Sequence, residues 1–378
     1  MREQRKTSES IFEGIVRSMN KKLRFGLLGA GRIGRVHAET LAFRLPEAEI
    51  AAIADVNREA AEVVAARCGI PRVVSSAQEI FSDDSVDAVL ICTSTDTHAG
   101  LIVQAAEAGK HIFCEKPISL SLEEIDSSLE AVKKAGVQMQ VGFNRRFDSN
   151  FVRVRQAVKA GEIGTPWLMH IISRDPAPPP ISYLGPSGGL FLDMMIHDFD
   201  MARFLIGDEV EEIYAAGAVL VDPAIGEAGD IDSAVVTLHF RSGAIGTIDN
   251  SRKATFGYDQ RVEILGSKGK IATENRYPNQ VVVSGDKSVY TDLPLPFFME
   301  RYTESFAAEL AAFTRAVLEG APVPVTGPDS RVPVVMALAA GKSFKEHRPV
   351  RVEEIASEEV PSRAVSSKKV SSREVCSA

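Results

Sequence analysis

At 378 residues the chain is long for one hydrophobic core and comfortable for two domains. Its 43 basic against 51 acidic side chains give a formal charge of -8, which offers no general attraction for nucleic acid or an anionic membrane surface. Apolar residues make up 45% of it, enough for a packed core, yet no stretch reaches membrane-spanning length.

Residues 1–22, "MREQRKTSESIFEGIVRSMNKK", mix basic residues with Glu3, Glu9 and Glu13 and lack a signal-peptide apolar run, so they read as an N-terminal extension. From Leu23 the pattern changes. "LRFGLLGAGRIGRVHAETLAFR" is a strand, then Gly29, Gly31 and Gly34 at GxGxxG spacing, then a helix. The first glycine permits a tight turn, the second lets backbone approach a pyrophosphate, and the third permits close helix-to-strand packing. With Ala30, Arg32 and Ile33 they form a loop whose helix end can meet phosphate charge. The next strand, "AEIAAIADVN", ends at Asp55, 21 residues beyond Gly34, where an acid can accept bonds from the adenosine ribose hydroxyls. The pattern therefore predicts NAD. Arg58 is the counter-signal, since a nearby guanidinium can accommodate the extra phosphate of NADP.

Alternation continues through the helical "REAAEVVAARCG" and two strands separated by a helix around Ala99 to Ala108, the signature of a parallel sheet. The strand ends bring Thr93, Ser94 and Thr95, and Glu115-Lys116-Pro117, to the expected ligand crevice. Proline cannot donate to a ladder and biases its predecessor away from helix, so Lys116 stands at a constrained turn. A further helix, Leu122 to Ala135, precedes "VQMQVGFNRRFD". Cys68, Cys92, Cys114 and Cys376 form no CxxC pair and no metal-ligand cluster; reduced thiols, a cytoplasmic location and no metal are expected.

The Pro-rich stretch from Arg174 to Gly189 interrupts regular structure and suits a substrate-side loop. "LFLDMMIHDFDMARFLIG" then reads as a helix that sets Asp193 and His197, four apart, on one side. Two readings stay open. His197 is a core histidine satisfied by Asp193, or Asp193 orients His197 while the imidazole removes a hydroxyl proton, with Lys116 stabilising oxygen charge. Beyond Gly207 the chain is strand-rich, with turn signals consistent with an open antiparallel sheet whose second face can serve an oligomer interface. Two final helices, in 301–320 and 330–346, are expected to pack back on the first domain.

In "GLLGAGRIG", "CTSTDTHAG", "GKHIFCEKPISL", "GFNRRFD" and "GGLFLDMMIHDFDMARFL" the chain resembles the glucose-fructose oxidoreductase, inositol dehydrogenase and rhizopine-catabolism family of NAD(P)-dependent oxidoreductases. The resemblance covers about Leu23 to Glu353. It implies an α/β chain with a Rossmann domain at 23–143 and an α+β domain with an open, mainly antiparallel sheet at 144–353; residues 354–378 lie outside it and, Ser-rich and charged, read as a disordered tail. Lys116, Asp193 and His197 become the implied catalytic group, with a cis bond at Lys116-Pro117. His98, Glu115 and Lys116 join the cofactor contacts. Asn144, Arg174, Asp175, Tyr258 and Gln260 are implied substrate contacts, although Arg174 pairing with an acid, Asp175 capping a turn and Tyr258 packing its ring are the structural alternatives. Arg145 and Arg146 read as domain-packing or solvated positions rather than a nucleic-acid patch. The resemblance is strongest to bacterial inositol dehydrogenases, which implies oxidation of myo-inositol to its 2-keto product by a homotetramer. Another cyclic polyol or an aldose is the alternative substrate, because Asp175 and Met194 stand where that pattern carries asparagine and threonine. A dinucleotide-sensing regulator without turnover is the alternative class.

Overall fold

Apolar runs without polar alternation make strands that can be buried on both faces, and the first third of the chain is built from them. A computed structural model describes residues 22–357, so the N-terminal extension up to residue 21 and the tail beyond 357 lie outside the described residues. Strands β1 (Leu23–Leu28), β2 (Ala48–Ala54), β3 (Val73–Val74), β4 (Ala88–Ile91), β5 (His111–Cys114) and β6 (Met139–Val141) form one parallel sheet in the order β3-β2-β1-β4-β5-β6. Every residue of β4 is buried.

Helices α1 (Arg32–Arg44) and α2 (Arg58–Cys68) cover one face of this sheet; α3 (Thr95–Glu107) and α4 (Leu122–Ala135) cover the other. Local chemistry sets several helix ends. Asn57 accepts the Ala60 amide at the start of α2, Ser121 accepts the Glu124 amide at the start of α4, and α4 stops at Gly136 in the left-handed region. The strand order reverses between β1 and β4, so a crevice opens at their carboxyl ends.

The second sheet comprises β7 (Pro166–Arg174), β8 (Val210–Ala218), β9 (Ser233–Phe240), β10 (Ile245–Ser251), β11 (Asp259–Gly266), β12 (Gly269–Thr273) and the short β15 (Val350–Arg351), in the order β12-β11-β7-β10-β9-β8-β15. Only β7 and β10 run parallel; the rest of the sheet is antiparallel, as expected. Period-two burial along β7 turns Met169, Ile171 and Ser173 toward the protein and leaves Leu168 and His170 on an uncovered face. Helices α5 (Ser149–Lys159), α6 (Ile181–Ser187), α7 (Ile196–Ile206), α8 (Thr303–Glu319) and α9 (Gly327–Glu346) complete the scaffold.

Several expectations are corrected. The Pro-rich stretch is not a plain loop: β7 runs into it through Arg174, and α6 lies within it. The helix carrying Asp193 and His197 is not uniform, because Leu190–Met194 forms a π-turn closed by the Met195 amide on the Leu190 carbonyl before α7 begins. The hairpin β13 (Val282–Ser284) and β14 (Val289–Thr291) forms its own two-stranded sheet. Both final helices reach the first domain: Phe313 of α8 meets Phe25 and Phe113, and α9, which packs mainly on β8 and α7 of the second, also lies against α4, where Arg331 pairs with Asp126 at 2.9 Å. The expected tail begins with a helical turn, Val352–Ser357.

Candidate active site

The glycine loop shows why each glycine is needed. Gly29 has φ +102°, and a Cβ there would lie 2.5 Å from the Cys92 carbonyl; a Cβ on Gly34 would lie 2.1 Å from the Gly29 carbonyl. Gly31 differs, since a Cβ on it meets no other atom within 4 Å. Two glycines thus close the turn onto β4 and α1, and the third leaves the open side clear for a phosphate. Gly31 also caps α1 with no side-chain bond, so the first-turn amides at Arg32, Ile33 and Gly34 face that space. Asp55 accepts the Ala30 amide at 2.6 Å and the Asn57 amide at 2.7 Å, tying the loop to the end of β2. Arg58 is exposed and turned onto Glu62 at 2.9 Å. Thr93 and Ser94 lie between β4 and α3, which Thr95 begins, with Thr93 bonded to Thr97 at 2.6 Å. These residues fit the pyrophosphate and adenosine ribose of a dinucleotide.

Two expected cofactor contacts are placed otherwise. His98 is buried between the carbonyls of Pro117, at 2.8 Å, and Thr93, at 3.1 Å, so it is a strut between the two crevice loops. Glu115 turns inward to His37 Nε2 at 2.6 Å. Behind that pair stands fully buried Glu309 of α8, neither of whose carboxyl oxygens has a hydrogen-bond partner; atoms of His37, Glu115 and Glu309 lie within 4.8 Å of one another. Burial, then the charge of Glu115, pushes the Glu309 carboxyl well above its ordinary range, which favours its protonated form.

Lys116 faces the crevice, and its bond to Pro117 is cis. Its Nζ donates to the Asp193 carbonyl at 2.8 Å and stands 3.7 Å from Asp193 Oδ1. The same Oδ1 accepts the Tyr183 hydroxyl at 3.1 Å, and Oδ2 faces Arg252 Nη1 at 3.5 Å. No hydrogen bond joins Asp193 to His197 among the described residues, and His197 Nδ1 is buried without a partner. The i,i+4 expectation presumed α geometry, and the π-turn between the two residues breaks it. Burial, then the cations Lys116 and Arg145, hold the His197 imidazole well below its ordinary value, so at neutral pH it is an uncharged base.

Strand register decides the substrate wall. Ser173 and Asn250 are partners on the covered faces of β7 and β10, and two residues beyond each lie Asp175 and Arg252. Alternation therefore turns Asp175 and Arg252 into the crevice. Arg174 points to the other side of the strand, where its half-buried guanidinium meets Asp249 at 3.0 Å and the buried Asp259 at 3.3 Å, so its charge is spent in ion pairs away from the crevice. Gln260 is buried behind the wall, bonded to Ser173 at 3.1 Å. The Tyr258 hydroxyl lies 3.4 Å from Arg145 Nη2, with its ring against Phe297 and Tyr302. Asn144 is buried in the turn that follows β6. Burial, then the charge of Asp193, raises the Asp175 carboxyl to about 7, against the opposing pull of Arg145 and Arg252.

Residues 23–143 match the oxidoreductase family with NAD-binding Rossmann fold, and residues 151–272 match the GFO/IDH/MocA C-terminal domain. The chain is 48% identical over 333 residues to a myo-inositol 2-dehydrogenase of Thermotoga maritima, covering 88% of this chain and 99% of that one. The chain belongs to the GFO/IDH/MocA oxidoreductase family. A crystal structure of a probable dehydrogenase from Thermotoga maritima superposes with TM-score 0.87 at 48% identity, over 88% of this chain and 100% of that one. The scyllo-inositol dehydrogenase of Lactobacillus casei, solved with NAD(H) and scyllo-inositol, gives TM-score 0.82 at 29% identity, over 88% and 100% of the two chains.

In this family member the centre draws on residues that motif reading passed over. Arg252 is fully buried and faces both Asp193 and, at 3.3 Å, Asp230. Its signal was the alternation Ile248, Asn250, Arg252 at the end of β10. Arg145, read as a packing residue, does pair with buried Asp198 at 2.5 Å, yet its charge also reaches His197. Tyr183 carries no local signal.

Proposed function

We propose that this oxidoreductase converts myo-inositol to its 2-keto product, scyllo-inosose, by dehydrogenation with NAD+. The observation that carries the reading is the meeting, across the domain crevice, of Lys116 from the end of β5 with Asp193 and an uncharged His197 from the second domain. When bound, NAD+ takes the hydride released at the carbinol carbon. His197 accepts the hydroxyl proton, which its neutral state at pH 7 permits. The Lys116 ammonium stabilises charge developing on the substrate oxygen, and Asp193 holds that ammonium in place. Asp175, Tyr258 and Asn144 are the candidate partners for the remaining ring hydroxyls, and leaving such groups unpaired penalises a substrate that lacks them. The 48% identity to a protein named for this reaction supports the substrate.

The test is a product-resolved panel of inositols, D-glucose and D-xylose with NAD+ and NADP+. Myo-inositol with NAD+ should give the highest kcat/KM and the 2-keto inositol as product, with NAD+ favoured at least about tenfold because Asp55 repels a 2'-phosphate. Efficient aldose oxidation beside negligible myo-inositol turnover would move the assignment to an aldose dehydrogenase. No turnover of any polyol by protein that binds NADH would favour a sensing role. No helix among the described residues is long and apolar enough to cross a membrane. A cytoplasmic homotetramer completes the reading, supported by the unpaired thiols of Cys68, Cys92 and Cys114 and by the uncovered apolar face of the second sheet.

A further inference from the structure

Helix α6 belongs to the second domain by connection but packs against α3 of the first, so it bridges the crevice. Pro178, Pro179 and Pro180 precede it, and Gly188 and Gly189 follow it with φ of +86° and +80°. Such flanks set the path of the chain at both ends. Tyr183 sits in this helix with its side chain about half exposed, yet its hydroxyl reaches inward to Asp193 Oδ1 at 3.1 Å. The charged groups near that hydroxyl are Asp193, Arg252 and Arg32 of the glycine loop. Tyr183 therefore stands where the acid of the second domain and the phosphate loop of the first come together.

We infer that Tyr183 is a positioning residue for Asp193, delivered across the crevice by α6. This rests on the assignment of Asp193 to the reaction. The cations beside Asp193 attract its carboxylate but are poor at aiming it: Arg252 at 3.5 Å is at the outer limit of hydrogen-bond length and Lys116 at 3.7 Å is beyond it. The Tyr183 hydroxyl is the donor that gives Oδ1 a direction. It holds the carboxylate beside Lys116 and away from His197, whose Nδ1 has no partner and would compete for it. Without the hydroxyl the carboxylate loses that donor, and the negative charge it presents to Lys116, whose Nζ stays bonded to the Asp193 carbonyl, is no longer held in one place.

The experiment compares Tyr183→Phe, Tyr183→Ala, Asp193→Asn and the Tyr183→Phe/Asp193→Asn double variant, using the polyol on which the wild-type protein is most active. NADH affinity, read by fluorescence titration, should stay within about twofold of wild type in every variant, because none is proposed to hold the cofactor. Tyr183→Phe keeps the ring and should still lower kcat about tenfold or more, the usual effect of removing a hydrogen bond to a charged group. Tyr183→Ala should lower kcat to a similar extent. In the Asp193→Asn background the Tyr183→Phe change should cost less than about twofold, since its target carboxylate is gone. Wild-type kcat in Tyr183→Phe with a damaged Tyr183→Ala would overturn the inference and leave only a packing ring. Full additivity in the double variant would also overturn it. Near-normal turnover by Asp193→Asn would instead sink the prior assignment of Asp193, a result separable from failure of the tyrosine alone.

Discussion

His197 is kept uncharged by burial and by two cations, Lys116 and Arg145, and what sets it apart from a structural histidine is its hydrogen bonding rather than those charges. A buried structural histidine normally bonds through both ring nitrogens or pairs with an acid, and His98 shows the first pattern in this same chain. His197 keeps a bare Nδ1. His197→Ala should therefore lower turnover by about 100-fold to 10,000-fold while NADH titrates as in wild type. A folded variant with near-normal turnover would remove the base assignment. Asp175 gives a second residue-level test. Its carboxyl is raised to about 7, so below that pH it is a neutral acid that can donate to a hydroxyl, and above it becomes a carboxylate that only accepts. The pH dependence of the polyol KM should bend near 7, and Asp175→Asn, which cannot titrate, should remove that bend while leaving any bend due to His197 at lower pH. A bend that survives the substitution would place the titration elsewhere.

At the scale of elements, legibility followed regularity. The parallel sheet and its glycine loop were readable because close packing forces those residues: a Cβ on Gly29 or Gly34 would strike backbone. The relation between Asp193 and His197 was misjudged because four-residue spacing has a meaning only inside an α-helix, and a π-turn intervenes. Arg174 falls one residue out of step with the wall, since Ser173 lies on the covered face, Asp175 continues that alternation into the crevice, and Arg174 points the other way. Tyr183 and Glu309 were beyond local pattern, because each acquires its role only when a distant element docks. Glu309 reaches His37 and Glu115 through α8, and its pH linkage follows from that docking. A carboxyl raised in the folded protein stabilises fully below its unfolded value near 4.5, and that contribution is lost as pH climbs toward the raised folded value, by about 1.4 kcal/mol per pH unit. Glu309→Gln should remove this loss, so the difference in Tm should shift in favour of the variant as pH rises above about 5. Parallel Tm curves for the two proteins would show that Glu309 does not titrate as described.

For the whole molecule, the second sheet poses a question of cover. One face packs on α7 and α9, while the other carries a row of apolar side chains across three strands: Leu265 of β11, Leu168 of β7 and Ile245 of β10 are cross-strand partners. They are 38%, 47% and 37% exposed, too much for a core and too continuous for scattered surface residues. Tyr214 and Val235 extend the apolar area along the same sheet. A self-complementary sheet face of this kind suits a two-fold contact between copies, and a second, different two-fold contact between such dimers closes a tetramer. The wild-type protein should then show a mass by light scattering of four times the 40.9 kDa chain. Leu168→Lys puts a charge at the centre of the row, where it would be desolvated on assembly but remains solvated in a single chain. The variant should keep its far-ultraviolet circular dichroism and run as a dimer or monomer. A wild-type mass of 40.9 kDa, or a Leu168→Lys variant that stays tetrameric, would mean that this face is not the one that joins the subunits.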